Sequence, residues 1–126
     1  MMNVARMDLE EPVGLDPDRL GVLYAQLGNA GAVEVMCRAM DALAGRLAEL
    51  DGLQARGDLR AIAKLAHSLI GIADQIGMAA VARVAGDVTA CARSGDAVAL
   101  AATLSRLHRQ ADGALTALWQ DVPLNA

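Results

Sequence analysis

The stretch from Asp58 to Gly77, DLRAIAKLAHSLIGIADQIG, decides what kind of fold this chain adopts. It opens on a carboxylate able to cap a first helical turn, closes on a glycine suited to a helix end, and has no proline between them. On a wheel of about 100° per residue with His67 at zero, Ile62, Leu65, Leu69, Ile72, Ala73 and Ile76 fall between roughly 140° and 240°. That is the stripe a helix buries. His67 stands opposite it, flanked within about 80° by Arg60, Lys64, Gly71, Asp74 and Gln75, with the small Ala63 on the same polar face. Ile70, at about −60°, is expected on the solvent side, where a β-branched residue beside an exposed histidine suggests docking against another protein.

Outward from this helix, the chain is punctuated in the same way. Asp16-Pro17 is a helix start, and the stripe Leu20, Leu23, Tyr24 and Leu27 behind it ends at Gly28-Asn29. A long segment from about residue 30 to 56 closes on Gly57, the histidine helix runs to about Ile76, a fourth segment spans about 78–93, and a fifth about 96–119. Connections this short favour antiparallel neighbours. The expected fold is therefore all-α, an up-and-down four-helix bundle with an additional short N-terminal helix. Its limits are residues 15–120, preceded by a flexible arm over 1–14 and followed by a tail over 121–126.

Composition agrees. Of the 126 residues 55% are hydrophobic, yet there is no Phe, one Trp and one Tyr, so the core is built from Leu, Ala, Val, Ile and Met. These are mostly strong helix formers, and too few residues are β-branched or aromatic for a sheet. The three prolines lie outside the long periodic segments. A domain of this size buries roughly two-thirds of its unfolded surface and can fold alone.

The same numbers exclude several functions. A formal charge of −4, with no basic stripe and no aromatic cluster, argues against nucleic acid. Mean hydropathy is +0.33, but charges interrupt every apolar run before the roughly 18 residues that a membrane span needs. The opening MMNVARMDLEEPVG has no apolar export core, so a cytoplasmic location is expected. Cys37 and Cys91 are isolated and read as small buried hydrophobes, His108 reads as structural or surface, and no spacing suggests a metal site.

The run from His67 onward resembles the signature of histidine phosphotransfer (HPt) domains. In that signature a histidine is followed by Leu at the second position, Lys at the third, Gly at the fourth and Gly at the tenth. Leu69, Gly71 and Gly77 match, and Ile70 stands where the lysine is expected. The likeness extends over about residues 14–120: a short first helix opening with Leu15-Asp16-Pro17, a long second closing on Gly57-Asp58, the histidine helix, a fourth closing on Ser94-Gly95-Asp96, and a long last helix.

The resemblance implies a monomeric phosphocarrier without kinase activity of its own. His67 would take a phosphoryl group from a response-regulator receiver aspartate, in a relay headed by a hybrid histidine kinase, and pass it to another receiver. The receiver brings its own Mg²⁺, so neither metal nor cofactor is implied here. Lys64, one turn before His67, and the more remote Arg60 are candidates to replace the missing lysine charge. Partner docking would use Gly71 for close approach, Ala63 and Ile70 for apolar contact, and Asp74 and Gln75 at the rim. Two alternatives stay open: a module that binds receivers without carrying phosphate, and a helical scaffold.

Overall fold

In a computed structural model, residues 14–121 are described, and among them four helices form a bundle: α1 (Pro17–Arg56), α2 (Leu59–Gln75), α3 (Ala79–Ser94) and α4 (Ala97–Asp121). There is no strand among these residues, only an isolated bridge between Leu15 and Met78. No described helix is long and apolar enough to cross a membrane. Of the expected arm over 1–14 and tail over 121–126, residues 1–13 and 122–126 lie outside the described residues, while Gly14 accepts from the Ala80 amide and Asp121 ends the last helix.

The expected helix starts and stops are present. Asp16 caps α1, its carboxylate accepting from the amides of Asp18 at 3.0 Å and Arg19 at 3.4 Å. Asp58 caps α2 by accepting from the amide of Ala61 at 3.1 Å, and Asp96 accepts from that of Ala99 at 3.0 Å. Each such cap satisfies amides that the helix itself leaves orphaned, and is worth about 1 kcal/mol. The stop expected at Gly28 is present as a kink: α1, Pro17–Arg56, is two helical stretches joined across Gly28, whose φ of 73° and ψ of 175° are not helical. Such angles are open to glycine and costly for other residues, so the break falls where the chain can make it.

The core is what the composition requires. Met36, Leu43 and Leu50 from α1, Ile62 and Leu69 from α2, Val81 and Val84 from α3, and Leu104, Leu107 and Leu118 from α4 are almost fully buried. Burying each such side chain contributes about 1.5–3 kcal/mol. With no fully buried aromatic ring among the described residues to fill wide gaps, fully buried alanines at 32, 66, 85, 111 and 114 let the helices approach closely. Cys37 and Cys91 are half-buried against this core rather than fully enclosed. His108 ties α4 to α1, its Nε2 lying 2.8 Å from Asp51 Oδ1 at angles that are not those of a hydrogen bond.

The histidine helix is held from two sides. It packs against both α1 and α3, more extensively against α3, and its first turn meets the last turn of α3. Its far end is clasped by the start of the described chain. There the Asp16 amide donates to Gly77 O at 2.6 Å, the Ala80 amide donates to Gly14 O at 3.3 Å, and Arg19 Nε donates to Asp74 O at 3.3 Å.

Candidate functional site

Which face of α2 is buried follows from that packing. Ile62, Ala63, Ala66, Leu69 and Ala73 are buried, while Leu65 and Ile72, both expected in the core, are only half-buried. On the same wheel, the buried arc is turned by about 50° from the expected stripe, toward α3. The periodicity of one helix records that it has an apolar side, but not which neighbour takes more of it. His67 is exposed, as expected, though at the margin of the buried face rather than opposite it.

That marginal position opens the imidazole onto a hollow between α2 and α3. The hollow is open to solvent, has a volume of about 530 Å³, and is lined by Leu59, Arg60, Ala63, Lys64 and His67 from α2 with Ala92 and Arg93 from α3. Three cationic side chains and no acidic one face His67 there. Arg60, Lys64 and Arg93 are all exposed. In a chain of net charge −4 this is a local reversal of sign, and a concave surface of one sign concentrates counter-ions. Arg60 also lies in the first turn of α2, where a cation opposes the helix dipole, so helix stability does not account for it.

Two expected docking residues take other roles. Ala63 is 7% exposed, so it floors the hollow and offers little contact area to a partner. Ile70 is half-buried rather than solvent-facing, and its Cδ1 lies 3.9 Å from where a Cβ on Gly86 of α3 would sit. The rotation of the buried arc carries Ile70 with it, so its branched side chain packs over the glycine of the neighbouring helix. An isoleucine here has a packing reason.

The two glycines of the stretch differ as well. A Cβ on Gly71 would meet nothing within 4 Å, although a glycine inside a helix costs about 1 kcal/mol relative to alanine. At Gly77, φ is 73° and a Cβ would fall 2.8 Å from the backbone oxygen of Asp16. The first is free of internal constraint, and the second is dictated by the clasp.

The remaining expected residues divide along the helix. Gly71, Asp74 and Gln75 are exposed. Asp74, however, lines a different hollow of about 370 Å³ with Asp16, Arg19, Gly77 and Ala79, near the clasp and apart from the cations beside His67. Ser68, next to His67, donates its hydroxyl to Leu65 O at 2.6 Å and is occupied within its own helix. Among the described residues no group of three His, Cys, Asp or Glu side chains converges as metal ligands. Sequence reading missed Arg93. A basic residue in the last turn of a helix already has a local explanation in the dipole, and only packing brings it to His67.

The chain matches no protein-family model, no curated protein and no solved structure. The functional reading therefore rests on the chemistry of this site.

Proposed function

We propose that this protein is a histidine phosphocarrier of the HPt kind, accepting a phosphoryl group on His67 from the aspartyl phosphate of a response-regulator receiver and passing it to another receiver. What carries the reading is an exposed imidazole at the edge of a hollow whose three charged side chains, Arg60, Lys64 and Arg93, are all cationic. Neutral imidazole is a nucleophile near physiological pH. A ring-nitrogen lone pair forms the N–P bond, the acyl O–P bond breaks, and its electron pair leaves with the aspartate carboxylate. The ring then sheds the proton on its other nitrogen to solvent. Phosphoryl transfer depends mainly on positioning and charge neutralisation, and the cations of the hollow supply the second. The receiver contributes the rest of the machinery, and a hybrid histidine kinase heads the relay. On this reading the bundle has the up-and-down HPt arrangement, with the part of α1 before Gly28 as its additional N-terminal helix.

The test is incubation of the full chain with a phosphorylated receiver from the same organism. The expected product is an acid-labile, base-stable phosphate on the chain that is lost completely in His67→Gln, with the urea midpoint of that exposed-site variant unchanged. One observation favours a second reading, a module that binds receivers without carrying phosphate: Ile70, where the family has its lysine, is packed over Gly86. Receiver binding without labelling selects that reading. Neither binding nor labelling with any cognate receiver selects a scaffold.

A further inference from the structure

We infer that the phosphoryl group on His67 is held toward α3, in the hollow floored by Ala63, and that Arg93 is the cation that replaces the lysine missing at position 70. The inference rests on the phosphocarrier reading and deepens it by placing the phosphoryl group on one side of the ring.

Three observations carry it. First, toward the end of α2 the place of the signature lysine is taken by Ile70, which is half-buried and packs against Gly86, so position 70 supplies no charge to the ring. Second, toward the start of α2 lies a concavity of about 530 Å³, with room for a phosphoryl group and the approaching carboxylate, and its charged lining beside His67 is Arg60, Lys64 and Arg93. Third, Arg93 reaches it from a different helix. Arg60 and Lys64 share a helix with His67 and flank it along one line, whereas Arg93 stands across the groove. A phosphoryl dianion between the two helices is thus bracketed by positive charge, as a group spreading charge over three equatorial oxygens requires. Arginine suits the place, because its guanidinium stays charged and its planar fork can donate to two phosphoryl oxygens at once.

The bland role for Arg93 is to complement the C-terminal dipole of α3, and its titration signature separates the two. The full chain is phosphorylated with phosphoramidate, a small donor that needs no receiver, and the phosphohistidine is followed by ³¹P NMR. A nearby cation disfavours the protonated ring and lowers the pH at which the phosphorylated imidazole loses its remaining ring proton. In Arg93→Ala that pH is expected to rise by about half a unit, and labelling of His67 to slow about five- to tenfold. Arg93→Lys is expected to restore most of both. Arg93→Gln keeps the length of the side chain without its charge and is expected to behave like the alanine variant, which covers any loss of folding in the latter.

If wild type is labelled at His67 but Arg93→Ala and Arg93→Gln match it in rate and in titration, the role of Arg93 is overturned while the phosphocarrier reading stands. The same holds if Arg93→Lys fails to restore the titration. If wild-type His67 is labelled neither by phosphoramidate nor by a phosphorylated receiver, both readings fall together.

Discussion

The two ends of α2 are built from one helical run and do opposite work. Toward its start, Arg60, Lys64 and His67 are exposed, face a hollow, and include a cation set against the helix dipole. Toward its end, Ala73 and Ile76 are fully buried, Gly77 is enclosed, and the Gly14–Arg19 stretch is bonded over the turn. The fold dictates the second end and leaves the first free. Gly71 and Gly77 show the contrast most plainly, since one is a glycine nothing inside the protein demands and the other is a glycine nothing else can replace. A motif read as one functional unit is thus two, with a structural anchor at its tail and a surface at its head.

The largest break in this comparison should come at the anchored end. Gly77→Ala puts a Cβ at left-handed backbone angles and 2.8 Å from Asp16 O, and is expected to cost about 2–4 kcal/mol, seen as a lower urea midpoint at nearly constant m-value. If the midpoint stays within experimental error, the clasp does not constrain the turn. Next comes Ile70→Lys, which supplies the lysine of the HPt signature but withdraws a branched side chain from Gly86. It is expected to lower stability by about 1 kcal/mol, and its effect on His67 labelling reports whether the far side of the ring can still use a cation. The smallest change has the opposite sign. Gly71→Ala should stabilise by up to about 1 kcal/mol, because open space awaits the methyl group. If Gly71 serves close approach by a partner, receiver affinity should fall in the same variant. Stabilisation with unchanged affinity would leave that glycine without a functional account.

Much of the fold could be read locally, because helix ends are local chemistry. Asp16-Pro17, Asp58, Gly77 and Ser94-Gly95-Asp96 each act within a few residues of their own position, and the boundaries they imply are the ones found. The exposure of His67 was legible for the same reason, as one helix's periodicity separates its wet side from its dry side. What escaped depends on a second helix. The turn of the buried arc toward α3, and with it the half-burial of Ile70, reflects how α2 divides its contacts between two neighbours. Arg93 escaped because its partner in the site is 26 positions earlier in the chain and no periodicity links them. At Gly28 the local signal found the break, and two helical stretches meet across it in a kink.

The clasp between Asp16 and Gly77 also sets an order of assembly. Its partners are about sixty residues apart in sequence, so closing that loop costs chain entropy which no local bond recovers until the turn between α2 and α3 exists to receive it. The bundle can therefore form around the histidine helix before its N-terminal strap is fastened. The strap is expected to close late and open early, and hydrogen exchange at the amide of Asp16 should then report local opening well below the energy of global unfolding.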